Sequence, residues 1–367
     1  SKRAAMSEAV SQESVLFDTT NGVLTITLNR PKALNALSLE MIRAMAPVLR
    51  SAAVDSSIRC VILQGAGERA FCAGGDVRAV AQAVSGGDLA AADAFFREEY
   101  TLNHLLHTYP KPIIALIHGV CMGGGVGLSA HGPLRVVADS LLFAMPETGI
   151  GLFPDVGGTW VLNQMPGEIG LYLGLTGARL GAADACAIGF ATHHVTDADL
   201  PTLRAALIKA APATDAEAEA VIARFDQPRG ESALLAQQAL IDRLFAGASV
   251  EAILAALEAE GSDWATAQAE TLRHKSPTSL KITLEQLRGG KGLDIAAVFV
   301  REYRLSQHCM AGPDFREGIR ALLIDKDQSP RWSPATLAEV TPTVVESFFA
   351  PLPGRELDLS ANAALTA

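Results

Sequence analysis

Residues 112–132 read PIIALIHGVCMGGGVGLSAHG, and this stretch carries the clearest indication of the fold. Its first part, residues 112–119, is an unbroken apolar run that ends in glycine, which is the pattern of a β-strand buried on both faces. Three consecutive glycines follow, and the apolar run after them predicts a helix. A strand that passes through glycines into a helix predicts an α/β layout, with functional loops at the strand ends.

Neighbouring segments repeat this alternation of strands and helices. VLTITL, residues 23–28, alternates strictly and predicts a strand. Apolar residues recur at helical spacing over residues 39–54, and Ser38 is placed to cap the start of that helix. CVILQG, residues 60–65, is a second apolar run of strand length that ends in glycine. These segments favour an α/β core.

Composition divides the chain into unequal parts. Beyond about residue 212 the sequence is rich in Ala, Leu and Glu and predicts long helices with few strands. We therefore expect four segments: a flexible N-terminus at 1–14, the α/β core at 15–211, a helical C-terminal region at 212–352 and a tail at 353–367.

Bulk properties exclude several classes of partner. The chain has 367 residues, 49% of them hydrophobic, and a net charge of −10. A chain this acidic lacks the electrostatic footprint of a nucleic-acid-binding protein, although a local basic patch could bind one phosphorylated small molecule. Its apolar runs are shorter than the roughly 18 residues of a membrane helix. We expect neither a nucleic acid nor a membrane as partner.

Cysteine and histidine usage points to an intracellular protein without a metal. The five cysteines are odd in number and widely spread, which disfavours a disulfide framework. The eight histidines occur without a familiar metal-ligand spacing. The first residues form no apolar signal segment. We expect a cytoplasmic protein, or one of the mitochondrial matrix if the source is eukaryotic.

Two glycine-rich segments are candidates for backbone hydrogen-bond donors. AFCAGGDV, residues 70–77, follows soon after a predicted strand, and its small residues let the backbone approach a ligand closely. A tight turn is the alternative interpretation. The glycines at 123–125 do not continue as a dinucleotide fingerprint, because position 128 is Leu, and no P-loop lysine follows. Two converging N–H groups would form an oxyanion hole.

A third segment, FAMPETGIGLFPDVGG at residues 143–158, contains only two charged side chains, Glu147 and Asp155. Both lie among glycines, prolines and apolar residues. Partial burial would raise the pKa of Glu147 and suit it to act as a base or a nucleophile. The alternative is a solvated loop acid.

In this order and spacing, AFCAGGDV, HGVCMGGGVGLS and MPETGIGLFPDVGGT resemble the enoyl-CoA hydratase/isomerase (crotonase) superfamily. The resemblance extends to SPTSLKITLEQL, EYRLSQHCM and DFREGIRALLIDKDQSPRW, so it covers nearly the whole chain. It implies a crotonase-like ββα spiral core with a helical C-terminal region packed over it. It also implies an acyl-CoA thioester as substrate, with CoA as part of that substrate and no separate cofactor.

The resemblance assigns roles to five residues. It implies that the backbone N–H groups of Ala73 and Gly124 hold the thioester oxygen. Glu147 would attack the thioester carbonyl or activate a water, and Asp155 would orient water or the substrate hydroxyl. Glu99, in the helical-looking segment FFREEYTLN, would contact a 3-hydroxyl group of the acyl chain. A surface helix charge is the alternative for Glu99.

Position 127 separates the possible activities. In the hydratases of this superfamily a first glutamate occupies the position that is Gly127 here, and hydration is assigned to two cooperating carboxylates. The resemblance therefore favours hydrolysis of a hydroxyacyl-CoA thioester. A hydratase or double-bond isomerase is the alternative enzyme, and a non-catalytic CoA-binding protein is the alternative outside catalysis. Superfamily members commonly form trimers through terminal helices, so a homo-oligomer is an option that the sequence leaves open.

Overall fold

The computed structural model of the protein describes residues 13–363 and residue 365. The expected flexible N-terminus at 1–14 therefore lies outside the described residues up to position 12. Within the described part, nine strands are formed: β1 Val15–Thr20, β2 Val23–Leu28, β3 Cys60–Gly65, β4 Ala70–Cys72, β5 Ile113–Ile117, β6 Val120–Met122, β7 Leu134–Ala138, β8 Leu142–Ala144 and β9 His193–Val195.

The strands form two sheets, one of six strands and one of three. The larger sheet has the order β1-β2-β3-β5-β7-β9 and is parallel except for the antiparallel pair β1-β2. The smaller sheet has the order β4-β6-β8 and is parallel throughout. The chain thus places one strand in each sheet before a helix returns it, which is the expected ββα spiral. The predicted strands at 23–28 and 60–65 are confirmed.

Helices cover both faces of the larger sheet. In the core they are α1 Leu39–Val54, α2 Val77–Ser85, α3 Leu89–His107, α4 Gly124–Ser129, α5 Gly158–Asn163, α6 Ile169–Thr176, α7 Ala182–Ala187 and α8 Leu200–Ala210, with 3-10 turns at Pro31–Ala33, Glu147–Ile150 and Asp197–Asp199. The predicted helix at 39–54 is confirmed, and the Ser38 hydroxyl accepts the N–H of Met41 at 3.2 Å. One face of the sheet packs on α8 through Leu203 and Leu207.

The C-terminal region is helical, as expected. Its helices are α9 Asp215–Ala223, α10 Ala233–Ala236, α11 Gln238–Leu244, α12 Val250–Glu260, α13 Asp263–Arg273, α14 Pro277–Gly289, α15 Ile295–Ala311, α16 Asp314–Ile319, α17 Pro342–Ser347 and α18 Ser360–Ala363, with a π-helix at Arg320–Ile324. The domain boundaries at 211 and 352 stay predictions.

Helix α15 packs directly on α3 of the core. The rings of Phe299 and Tyr100 lie 6.2 Å apart at their centroids, and both side chains are fully buried. Burial of aromatic side chains of this size is among the larger contributions to core packing. This contact holds the C-terminal half against α3 of the core.

Candidate active site

The loops after the three strands of the small sheet converge on one cavity. Because β4, β6 and β8 are parallel, their carboxyl ends lie at the same edge, and their loops meet there. The cavity has a volume of about 450 Å³. Its lining includes all five predicted site residues, which are Ala73, Glu99, Gly124, Glu147 and Asp155.

Two backbone segments meet closely in the cavity wall. A Cβ atom at Gly124 would lie 2.9 Å from the backbone nitrogen of Gly75 and 3.1 Å from Oε2 of Glu99. A side chain at position 124 would therefore collide with the neighbouring loop. Gly123, with φ of +48°, enters the turn in a conformation that favours glycine. Glycine at these positions lets the two backbones approach each other.

The prediction for the Ala73 N–H group is wrong. This N–H donates to the carbonyl oxygen of Leu34 at 2.9 Å, so it is already used within the fold. The N–H group of Gly75, two residues further on, has no acceptor within the described residues, and neither has that of Gly124. Hydrogen bonds from Leu37 N–H to Gly74 and from Asp76 N–H to Leu37 fix the loop on either side. Gly75 thus replaces Ala73 as the donor that can pair with Gly124.

Glu147 begins the 3-10 turn that follows β8. Its side chain is 5% exposed, and both carboxylate oxygens lack a hydrogen-bond partner among the described residues. Burial raises the pKa of Glu147 well above its usual value, and the charge of Asp155 raises it further. The backbone of the 3-10 turn therefore fixes the position of Glu147, because none of the described residues forms a hydrogen bond with its carboxyl group.

Asp155 lies in the loop after the Glu147 turn. The hydroxyl group of Tyr100 donates to its Oδ2 at 2.7 Å. Burial raises the pKa of Asp155 to about 6, and the hydrogen bond from Tyr100 acts in the opposite direction. Asp155 is therefore an acid that ionises just below neutral pH although it is buried.

The loop around Asp155 is anchored by the C-terminal helices. Glu302 on α15 is fully buried and accepts the N–H of Gly157 at 2.9 Å and that of Thr159 at 3.0 Å. Gln286 on α14 donates to the carbonyl oxygen of Pro154 at 2.8 Å. Burial raises the pKa of Glu302 to about 8. These contacts fix the backbone immediately before and after Asp155.

Helix α3 presents two adjacent acids to different surroundings. Glu99 is 2% exposed, lines the cavity and has no partner for Oε2 within the described residues. Burial, and then the charge of Asp155, raise its pKa well above the usual value. Glu98 instead pairs with Arg43 at 2.8 Å near the surface. Of the two acids, Glu99 is the one that lines the cavity, and its role there stays a prediction.

Position 127 has no room for a side chain in this structure. A Cβ atom at Gly127 would lie 2.6 Å from Cβ of Val156 and 2.9 Å from Nδ2 of Asn103. Val156 itself has φ of +54°, a conformation that is costly for a β-branched residue. An acid at position 127 would require the Asp155 loop to move.

Sequence reasoning missed four residues that shape the cavity: Tyr100, Arg179, Lys275 and Glu302. Arg179 and Lys275 line it directly. Lys275 immediately precedes the segment SPTSLKITLEQL, and Glu302 opens EYRLSQHCM, so both lie at the distal segments that carried the resemblance. The contact of Lys275 with the cavity and that of Glu302 with the Asp155 loop depend on tertiary packing and have no local signal in the sequence.

Neither a metal site nor a membrane-spanning helix is formed by the described residues. No group of three or more His, Cys, Asp or Glu side chains among them has an arrangement suited to a metal ion. None of the helices in the described part combines the length and the apolar character needed to cross a membrane.

Comparisons with known proteins agree with this architecture. A family model described as Enoyl-CoA hydratase/isomerase matches residues 23–349. The "3-hydroxyisobutyryl-CoA hydrolase, mitochondrial" of Danio rerio is 48% identical over 359 residues, covering 96% of this chain and 94% of the relative. The Homo sapiens protein of the same name is 45% identical over 350 residues, covering 94% and 90%.

A solved structure is similar over almost the same length. A carnitinyl-CoA dehydratase from Mycobacterium thermoresistibile superposes with a TM-score of 0.89 at 42% identity, covering 95% of this chain and 99% of that one. The spiral core, the helical C-terminal region and the acid-lined cavity thus define a protein of the crotonase fold. The chain belongs to the enoyl-CoA hydratase/isomerase family.

Proposed function

We propose that the chain hydrolyses the thioester of 3-hydroxyisobutyryl-CoA to 3-hydroxyisobutyrate and CoA, a step of valine degradation. Curated relatives named for this activity match more than nine-tenths of the chain. The observation that carries the proposal is Glu147, a buried acid whose two oxygens have no partner among residues 13–363 and 365, in a cavity that Gly75 and Gly124 also line. The reaction requires no cofactor, because CoA enters as part of the substrate.

The first element of the mechanism is an oxyanion hole. Attack on the thioester carbonyl places a negative charge on its oxygen in the tetrahedral intermediate. The N–H groups of Gly75 and Gly124 would donate to that oxygen, and one such donor is typically worth about 3 kcal/mol. The loop hydrogen bonds of Leu37 hold Gly75 in place before substrate binds, so little reorganisation is needed.

Glu147 can act by either of two routes. As a nucleophile, its carboxylate oxygen forms a bond to the thioester carbon, and the C–S bond then breaks with its electron pair leaving on sulfur as CoA thiolate, which takes up a proton. Water then hydrolyses the resulting mixed anhydride. As a general base, Glu147 removes a proton from a water whose oxygen attacks the carbon directly; the C–S bond then breaks, and CoA leaves as a thiolate that takes up a proton. Both routes require the ionised carboxylate.

Asp155 and Glu99 complete the proposed site. Asp155, held by Tyr100, would orient the attacking water; in the nucleophilic route it would also accept the proton of the water that hydrolyses the anhydride, at a pH above about 6. Glu99 would accept a hydrogen bond from the 3-hydroxyl group of the acyl chain. Oε2 of Glu99 has no partner within the described part of the chain, so an acyl chain that lacks this hydroxyl would leave it desolvated and unpaired and would bind less well.

A hydratase or dehydratase activity is the second candidate, favoured by the likeness to the carnitinyl-CoA dehydratase structure. Two observations speak against it as the main activity. Gly127 offers no side chain for acid-base work, and Val156 fills the adjacent space. Loss of the absorbance of crotonyl-CoA on hydration measures this activity directly. A non-catalytic CoA-binding protein would bind CoA and turn over neither substrate.

The deciding experiment is release of thiol from 3-hydroxyisobutyryl-CoA, measured with a thiol reagent. The wild type should release CoA rapidly, whereas Glu147→Gln and Asp155→Asn should lose at least about 100-fold in kcat. The control is Glu68→Gln, an exposed acid outside the cavity. Wild-type release no faster than the background, with CoA still bound, would refute the hydrolase function.

We further propose that the enzyme works in the cytoplasm, or in the mitochondrial matrix if the source is eukaryotic. The curated relatives carry the word mitochondrial in their names. Its partner is the small-molecule acyl-CoA, and a homo-oligomer remains a proposal that sedimentation of the purified chain tests. Cell fractionation tests the compartment.

A further inference from the structure

A lysine from the C-terminal half reaches into the proposed active site. Lys275 follows helix α13 and lines the cavity. The next residue ties it there: the N–H of Ser276 donates to the carbonyl oxygen of Thr148 at 3.3 Å, and the Ser276 hydroxyl donates to Asp314 at 2.7 Å. The Lys275 segment is therefore bonded to the turn that begins with Glu147.

The ammonium group lies beside that same turn. Nζ of Lys275 is 3.3 Å from the position that a Cβ atom at Gly149 would occupy. Lys275 is half-buried, and within the described residues its Nζ has neither an ion pair nor a hydrogen bond. A partly desolvated cation without a partner, beside a turn that carries an unpartnered acid, is an arrangement that packing alone does not explain.

The other charges that face Glu147 are mostly negative. Asp155 follows it in the chain, Glu99 faces it from α3, and Glu302 faces it from α15. Arg179 is the second cation in the cavity lining, but its side chain is exposed, so water and salt screen its charge. Lys275 is thus the less screened of the two cations.

We propose that Lys275 is a positioning residue that acts through Glu147, supplying the positive charge that keeps this carboxylate ionised among three other acids. The inference rests on the proposed hydrolase function, in which Glu147 must be ionised to attack carbon or to accept a proton. The positive charge of Lys275 matters most in the free enzyme. Once an oxygen of Glu147 has bonded to the thioester carbon, Glu147 itself no longer carries a negative charge.

The interaction also acts on the lysine. Burial lowers the pKa of Lys275, and the charge of Glu147 opposes that change. Two opposite charges in a partly buried site are screened less by water and salt than a pair on the surface, so they interact more strongly. A longer separation gives a smaller effect, but one still measurable as a shift in titration.

The test compares Lys275→Met and Lys275→Gln, which remove the charge, with Lys275→Arg, which keeps it. Lys291→Met is the matched control, because Lys291 is exposed just beyond helix α14. Infrared titration without substrate follows the carboxyl band of Glu147, assigned by its disappearance in Glu147→Gln. The pH dependence of kcat/KM for thiol release is the second measurement.

The neutral variants should move the titration midpoint of Glu147 upward by about one pH unit and lower kcat/KM about tenfold on the acid side of the profile. Lys275→Arg should restore both within about twofold, and Lys291→Met should match the wild type. An unchanged Glu147 midpoint in both neutral variants would overturn the proposal, as would an equal loss of kcat/KM at every pH.

The two proposals fail in different ways. If the wild type releases no thiol, the hydrolase function is wrong, whereas the infrared titration still reads the interaction between Lys275 and Glu147. If thiol release is rapid and the midpoint does not move, the hydrolase function stands and the role of Lys275 is refuted.

Discussion

The hydroxyl group of Tyr100 is hydrogen-bonded to Oδ2 of Asp155 at 2.7 Å, with both side chains buried. The contact joins the middle of α3 to the loop after the Glu147 turn, so it fixes the direction of the carboxyl group. It also favours the ionised form of Asp155, because a donor stabilises a buried carboxylate against the cost of desolvation.

Replacing Tyr100 by Phe should therefore weaken catalysis mainly at low pH. Asp155 is active as a carboxylate, so activity should fall as the pH drops through about 6. Loss of the hydrogen bond raises that pKa, and the acid limb of kcat/KM should move upward by about one pH unit. Tyr109→Phe is the control, since its hydroxyl bonds to Leu49 outside the cavity. An acid limb at the wild-type position would contradict this role.

The oxyanion donors can be distinguished by replacing single backbone amides with esters. An ester at position 75, made with glycolic acid, removes only one N–H group and should reduce kcat about 100-fold or more. The corresponding lactic acid ester at position 73 removes the bond to Leu34 and should cost stability, about 1 kcal/mol, with kcat nearly unchanged. The reverse outcome would restore Ala73 as the donor.

Selectivity for a hydroxylated acyl chain should depend on Glu99. Glu99→Leu should lower kcat/KM for 3-hydroxyisobutyryl-CoA. The ratio of this kcat/KM to that for isobutyryl-CoA should fall by at least about tenfold, because the buried acid no longer disfavours the acyl chain without a hydroxyl. Glu98→Leu is the matched control, one residue away and paired with Arg43. Equal ratios in the wild type and Glu99→Leu would show that the hydroxyl is recognised elsewhere.

Removing the charge of Glu147 should stabilise the fold while abolishing activity. Its raised pKa means that the folded state holds this proton more tightly than the unfolded chain, so its contribution to stability is lost as the pH rises above about 4.3. Glu147→Gln should raise the free energy of unfolding by about 1 to 3 kcal/mol at pH about 8, and by less at pH about 5. Urea unfolding at both values checks this, with Glu68→Gln as control. A gain that does not change with pH would contradict it.

Much of the fold could be predicted from local sequence signals. Ser38 and the apolar spacing after it predict the helix at 39–54, and both depend on interactions within a few residues. Apolar runs such as residues 60–65 predict strands buried on two faces, since no polar face is present. These signals are local, so they need no knowledge of the tertiary structure.

The predictions for the site stop where tertiary contacts begin. The residues of AFCAGGDV indicate backbone donors, but only the contact with Leu34 reveals that the Ala73 N–H is already used. Glu98 and Glu99 are adjacent residues of the same type, and only the orientation of α3 shows which of them faces the cavity. Lys275 and Glu302 lie more than a hundred residues from Glu147, and packing of the C-terminal half brings them to it.

This packing of the C-terminal half has a consequence for folding during synthesis. The loop that carries Asp155 is held by Gln286 and Glu302, which leave the ribosome long after the spiral core has been synthesised. A nascent core can form its sheets, but the carbonyl group of Pro154 then lacks its donor Gln286, and the N–H group of Gly157 lacks its acceptor Glu302. Synthesis of the last third of the chain thus separates folding of the core from the onset of catalysis, and an interrupted translation product would not consume acyl-CoA.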